Sequence, residues 1–148
     1  MNRGPASTTA TREQARRAID AVLAASPEAA LASLGITLVV RRSPLRTPRR
    51  IVHGAWDPLL ARIELFDCDR RSDAELVTTF VHELLHALAG LDDEQPSGDA
   101  AIHRRALAVV VRLSDVELSR FARQLRAAAH PPVVRPERGD GWNVEGRA

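Results

Sequence analysis

The segment His82-Glu83-Leu84-Leu85-His86 has residue types and spacing suited to catalysis. In a helix, residues four positions apart lie one above the other, so both imidazoles point the same way. Two neutral imidazole nitrogens at that spacing can bind one Zn²⁺ in tetrahedral geometry. Glu83 follows the first ligand, where its carboxylate can take a proton from a water that attacks a carbonyl. The motif therefore predicts a zinc-dependent site with His82 and His86 as ligands and Glu83 as general base.

The surroundings of the motif favour a metal site over incidental surface histidines. A capping box that begins at Ser72 predicts a helix over residues 72–89. On a helical wheel the large apolar residues fill one arc, and the three motif residues fall on the opposite side. They are the only ionisable residues between positions 76 and 90. A solvent-facing helix side normally carries several charges, and isolated polar groups are costly to bury unless they are paired or bind metal.

The elements around this helix predict one α+β domain over residues 8–129, in which a small, mostly antiparallel sheet packs on the motif helix. Periodicity predicts further helices at residues 8–25, 27–34, 99–113 and 114–129, and strands at residues 36–40, 50–56 and 62–66. The last strand alternates in polarity, which indicates a half-buried or edge strand, and an edge beside the metal could hold an extended peptide. Residues 1–7 and 130–148 are predicted to be a loose N-terminal tail and a disordered C-terminal tail.

Composition excludes several other classes of protein. The chain has 148 residues, of which 45% are hydrophobic and 27% charged, the balance of a soluble globular domain. We expect a cytoplasmic protein without a membrane partner, because there is no signal-peptide pattern and no apolar run long enough to span a bilayer. The single cysteine, Cys68, cannot form an internal disulfide or a thiolate cluster, so metal ligands must come from His, Asp and Glu.

The segment TTFVHELLHALAG, after a glycine-containing pair of strands and before a long helix, resembles the small bacterial and phage zincin metallopeptidases. The resemblance covers residues 36–113 and includes the SprT-like and ImmA-type groups, which share a minimal strand–strand–helix core. It implies a zincin-like fold and a zinc metallopeptidase that acts on a peptide or protein substrate. His82 and His86 match the ligands of the family motif position by position, and Glu83 matches its base.

The third zinc ligand has two candidates. In SprT-like proteins it is a histidine that begins a following helix, and His103 stands in that place, although the glycine that usually follows is missing. Asp99, one turn earlier, could hold the second nitrogen of that imidazole. Asp92 stands where metzincin-like chains place a ligand, but Ala89 replaces the glycine of that pattern. We expect His103 to complete the site and keep Asp92 as the alternative.

Other polar residues receive weaker interpretations. His53 could approach the site as an oxyanion donor, but an exposed or structural histidine is favoured. Arginine pairs at residues 41–42, 49–50, 70–71 and 104–105 favour solvated surface over a nucleic-acid track, because no aromatic residues interleave with them. Two alternatives to a peptidase of unassigned substrate stay open: a zincin-fold metal-binding or regulatory domain without turnover, and a SprT-like protease associated with nucleic acid through these arginines.

Overall fold

The structure, a computed structural model, describes residues 4–88 and 98–129, with side chains for residues 13–88 and 100–129. These residues form α1 (Gly4–Ala24), α2 (Pro27–Ala32), β1 (Thr37–Val40), β2 (Leu45–Arg46), β3 (Ile51–Val52), β4 (Gly54–Asp57), β5 (Arg62–Leu65), α3 (Asp73–Leu88), α4 (Gly98–Val111) and α5 (Asp115–Ala127). This element order confirms the α+β class. No helix in the described part of the chain is both long and apolar enough to cross a bilayer.

Local sequence signals set the ends of several helices. Ser72 and Ser114 open α3 and α5 with complete capping boxes, in which each serine hydroxyl accepts the N–H of the glutamate three residues later. Each glutamate carboxylate accepts the serine N–H in return. A serine cap of this kind stabilises a helix by about 1 kcal/mol. After α2, Gly35 has a φ of 75°, which a residue with a side chain rarely adopts.

The central strand of the main sheet is β5, which lies between β1 and β4. It pairs antiparallel with β4, in line with the expected antiparallel sheet, but parallel with β1, so this sheet is mixed. Ile63 and Leu65 are fully buried while Arg62 and Glu64 are partly exposed, so the half-buried interpretation is confirmed and the edge interpretation of residues 62–66 is wrong. Alternation reports the two faces of a strand and carries no information about its two edges. The edge strands of this sheet are β1 and β4.

The basic segment after β1 forms a second, two-stranded antiparallel sheet from β2 and β3. The strand expected over residues 50–56 is therefore divided at His53: its first part, β3, pairs with β2, and its second part, β4, pairs with β5. The carbonyl of His53 accepts the N–H of Phe66 at 2.9 Å where the chain changes partner. A single sequence predicts extended backbone here, whereas the partner of each half depends on remote residues.

Helix α3 lies at the centre of the fold and contacts α1, α4, α5, β4 and β5. Its apolar face is fully buried or nearly so, and the ring of Phe80 lies 5.2 Å, between centroids, from that of Phe121 in α5. Each large apolar side chain buried in this way contributes about 1.5–3 kcal/mol. This burial sets the rotation of α3 about its axis and thereby the direction of the motif residues. The face consists of Leu76, Val77, Phe80, Val81, Leu84 and Leu85.

The ends of the domain differ in part from expectation. Helix α1 begins at Gly4 and so includes residues 4–7, which the sequence assigns to a tail. At the other end α5 is followed by Ala129, which forms an isolated parallel bridge with Val40 of β1. The C-terminal tail predicted at residues 130–148 and the loop that carries Asp92 lie outside the described residues.

Candidate metal centre

Helix α3 carries the three motif residues on the side that faces β4 and α4. The rings of His82 and His86 are neighbours, with centroids 4.9 Å apart, and both residues are half-buried. Glu83 is only 8% exposed. The shared face predicted from the four-residue spacing is therefore present, with the carboxylate more enclosed than either imidazole.

Helix α4 brings a third histidine to the same place. It packs against α3, and the ring centroid of His103 lies 5.6 Å from that of His82. His103 is exposed, so solvent has access to this side of the cluster. As the sequence predicts, His103 lies in the helix that follows the motif. The side chain of Asp99 and the whole of Asp92 lie outside the described residues, so the choice between His103 and Asp92 stays a prediction.

The ring spacing suits a tetrahedral zinc ion. With a Zn–N distance of about 2.1 Å, an imidazole centroid stands about 3.2 Å from the metal, and two such rings lie about 5.2 Å apart. The observed separations of 4.9 and 5.6 Å bracket that value. Imidazole is also a donor type that zinc prefers. Within residues 4–88 and 98–129, no three His, Cys, Asp or Glu side chains form a complete metal-binding group as they stand, and the zinc site stays a prediction.

Gly54 of β4 lies directly against the side chain of Glu83. A Cβ atom at this position would lie 2.6 Å from Thr79 Cγ2, 3.2 Å from Glu83 Cγ and 3.3 Å from the carbonyl oxygen of Glu64. Only a residue without a side chain lets β4 approach α3 this closely. The glycine therefore helps to position the predicted base, a role that the sequence does not reveal because the two segments are distant along the chain.

A cleft of about 240 Å³ opens beside Glu83. His82, Glu83 and His103 contribute to its lining on the helical side, and residues 50–54 contribute on the side of the strands. Typical small-molecule pockets hold about 300–1,000 Å³, so this cleft has room for a few groups of a larger ligand. Two of the three predicted metal ligands, His82 and His103, thus share one solvent-accessible depression with the predicted base, and His86 is not in its lining.

Arg71 reaches the same cleft from the residue before the N-cap of α3. Its Nη2 donates to Thr79 Oγ1 at 3.1 Å, and its side chain is 13% exposed. Its Nη1 is buried and has no hydrogen-bond partner among the residues that the structure describes. The solvated-surface interpretation of residues 70–71 holds for Arg70, whose side chain is 70% exposed, but is wrong for Arg71. In the sequence, the only local feature that distinguishes Arg71 from Arg70 is its position directly before the capping box.

Arg126 of α5 holds the segment that carries Arg71. Its Nε donates to the carbonyl of Cys68 at 3.1 Å, and its Nη2 donates to the carbonyl of Arg71 at 2.9 Å. Its Nη1 bonds Asp73 Oδ1 at 2.7 Å. The rigid fork of one guanidinium therefore ties the entry of α3 to α5. Helical periodicity places Arg126 on the outer side of α5 and cannot show that its acceptors include two backbone carbonyls.

The first arginine pair is neutralised by acidic neighbours. Arg41 pairs with Glu64 at 3.1 Å, and Arg42 pairs with Asp69 at 2.7 Å. Both arginine side chains are more than two-fifths exposed, so each ion pair contributes little to stability. These pairs support the solvated-surface interpretation of residues 41–42.

His53 lies in the lining of the cleft and is largely exposed, as the favoured interpretation expects. Partial burial lowers the pKa of its imidazole below the ordinary value, and the positive charge of Arg71 lowers it further. Asp67 and Glu75 oppose this shift without cancelling it. Burial and the charge of Arg71 both favour the neutral imidazole over the imidazolium, and in the neutral ring one nitrogen carries a proton while the other can accept one.

Comparison with known proteins adds no assignment. The chain matches no protein-family model, no curated protein and no solved structure. The site must therefore be interpreted from its own residues and geometry.

Proposed function

We propose that this protein is a zinc-dependent peptidase with a zincin-like site. The observation that carries the proposal is the position of Glu83, which is buried against β4 in the lining of the cleft that also contains His82 and His103. A carboxylate beside metal-binding histidines has the reach required of a general base. The resemblance of residues 36–113 to the small bacterial and phage zincins, SprT-like and ImmA-type groups included, supports the same assignment.

The proposed mechanism assigns the three histidines to metal binding and Glu83 to proton transfer. His82, His86 and His103 would hold Zn²⁺, which would supply the Lewis acid needed to activate the attacking water. Glu83 accepts a proton from that water at a carboxylate oxygen while the water oxygen bonds to the peptide carbonyl carbon. The carboxyl group of Glu83 then returns the proton to the leaving amine nitrogen as the peptide C–N bond breaks. Asp92 is the alternative third ligand.

Strand β4 is suited to hold the backbone of the substrate. Among the described strands it pairs only with β5, and its Gly54 lies in the lining of the cleft. An extended peptide can add to such an edge through backbone hydrogen bonds, which places one of its carbonyl groups near Glu83. In this proposal β4 takes the role that the sequence analysis gives to residues 62–66.

Zinc content and metal-dependent hydrolysis test the proposal. After incubation with zinc, the full chain should retain about one zinc ion and cleave peptides. A chelator should remove this activity, and added zinc should restore it. His82→Ala and His86→Ala should each abolish tight zinc binding. The matched control is His53→Ala, which removes another histidine of the same cleft and should leave the zinc content unchanged. Loss of zinc in either His103→Ala or Asp92→Ala identifies the third ligand.

Other outcomes would support different functions. If the wild-type chain binds no zinc even after refolding with the metal, the metal centre is refuted. Stoichiometric zinc without hydrolysis of any peptide would favour a metal-binding or regulatory domain, whose function would survive Glu83→Gln. Hydrolysis together with DNA binding that weakens steeply with salt would favour the nucleic-acid-associated protease.

A further inference from the structure

Two arginines line the cleft beside the predicted base. Arg50 contributes from the end of the β2–β3 hairpin and Arg71 from the entry of α3. Glu83 is the only carboxylate among the described residues that line the cleft. The lining therefore carries more fixed positive charge than negative charge, which favours an anionic group on the ligand.

The protein holds the guanidinium of Arg71 in place, but one of its nitrogens lacks a hydrogen-bond acceptor among the described residues. Nη2 donates to Thr79 Oγ1 at 3.1 Å and to the carbonyl oxygen of Glu75 at 3.4 Å, while Nε lies 3.7 Å from Glu75 Oε1. That carboxylate is 60% exposed and already accepts the N–H of Ser72. Nη1 is buried without an acceptor in the described part of the chain, although the side chain as a whole is 13% exposed. A buried charged donor without an acceptor is costly, so a ligand whose acceptor reaches this nitrogen through a small shift of the side chain gains affinity.

Arg50 adds a second, less constrained charge. Its side chain is exposed and forms no ion pair with the residues that the structure describes. Its backbone is fixed by the turn of the hairpin, where its N–H donates to Thr47 Oγ1 at 3.1 Å and its carbonyl accepts the N–H of Thr47 at 2.8 Å. The base of the side chain is therefore anchored while the guanidinium can adjust to a ligand.

We propose that Arg71, with Arg50, binds a carboxylate of the substrate, so that the cleft selects peptides with an acidic side chain or a free C-terminus near the cleaved bond. A planar carboxylate matches the donor fork of arginine better than any other common peptide group. This inference rests on the proposed peptidase function and specifies its substrate class.

The distance along α3 places the carboxylate relative to the cleaved bond. Thr79, which holds the Arg71 guanidinium, precedes Glu83 by four residues, or about 6 Å of axial rise. An extended peptide advances about 3.3 Å per residue. The carboxylate therefore belongs to a residue one or two positions from the bond that Glu83 serves.

Cleavage of a mixture of synthetic peptides by the full-length, zinc-loaded protein tests this selectivity. Peptides with Asp or Glu within two positions of the cut should be cleaved at least about tenfold faster than their Asn or Gln counterparts. Arg71→Gln should remove most of that preference, and Arg71→Lys should retain part of it because the charge stays while the fork is lost. The matched control is Arg70→Gln, which removes the same charge from the exposed neighbouring position and should keep the preference. Peptides with an amidated C-terminus distinguish an acidic side chain from a C-terminal carboxylate.

A binding measurement makes the result independent of turnover. Fluorescence anisotropy with a labelled Glu-containing peptide and its Gln counterpart should show at least about tenfold tighter binding of the acidic peptide to the wild type. Equal binding of the two peptides overturns the inference, whether or not the protein cleaves them. Cleavage without acidic preference also overturns it and leaves the peptidase proposal standing. Acidic preference in binding without any cleavage keeps the carboxylate subsite and refutes the peptidase.

Discussion

Substitution of Gly54 by alanine probes the contact that positions Glu83. The added Cβ would lie 2.6 Å from Thr79 Cγ2, whereas ordinary contact begins at 3.4 Å, so β4 and α3 must separate locally by about 0.8 Å. Overpacking of this kind destabilises a protein by about 1–3 kcal/mol. Because Glu83 Cγ would also be crowded at 3.2 Å, the carboxylate should move with the helix face. A displacement near 1 Å at a reacting group can reduce turnover by about a hundredfold.

Urea denaturation and peptide hydrolysis measure the two effects of Gly54→Ala. The double variant with Thr79→Ser should recover at least half of the lost stability, because serine removes the Cγ2 methyl and keeps the hydroxyl that accepts from Arg71. The matched control is Gly35→Ala, at a position with a φ of 75° and no atom within 4 Å of the added Cβ. It should lower stability through backbone strain alone, with no rescue by Thr79→Ser. Wild-type stability in Gly54→Ala, or equal effects of Thr79→Ser in both glycine variants, would refute the steric argument.

Three further substitutions have expected outcomes. Ser72→Ala should lower the free energy of unfolding by about 1 kcal/mol in urea denaturation, because α3 loses its N-cap; an unchanged midpoint would contradict this. Arg126→Ala should lower the free energy of unfolding by about 2 kcal/mol or more, because Arg126 bonds backbone carbonyls at the entry of α3. The exposed Arg123→Ala should have a small effect, and equal losses of stability in the two variants would contradict this role of Arg126. Arg71→Gln should raise the pKa of His53, followed by NMR titration, because it removes a positive charge that disfavours the imidazolium; a lower pKa would contradict the assignment.

The helical part of the site could be predicted from the sequence because its determinants are local. The capping box, the apolar arc and the spacing of His82 and His86 all operate within one helix, and the structure reproduces each of them. The proximity of His103 depends on how α4 packs against α3, which the sequence supports only through the resemblance to SprT-like proteins. The structure brings the two rings to 5.6 Å.

The strand side of the site could not be predicted, because it depends on contacts between remote segments. Nothing near Gly54 in the sequence shows that Thr79 and Glu83 pack against it. The parallel pairing of β1 with β5 is equally remote, since a hairpin and a strand separate them along the chain. The sequence around Arg71 is that of an exposed arginine, and its place in the lining of the cleft follows only from the tertiary structure. Local patterns therefore predict the elements and the helix face that carries the candidate site residues, and tertiary packing decides which other side chains reach that face.

Comparison of peptide hydrolysis by the zinc-loaded wild type and Glu83→Gln tests the central claim most directly. The substitution keeps the shape of the side chain and removes its ability to accept a proton as a carboxylate. We expect about one zinc ion per chain in both proteins, with hydrolysis in the wild type and a loss of at least about a hundredfold in the variant. Equal hydrolysis by both proteins, or none by the zinc-loaded wild type, would contradict the account.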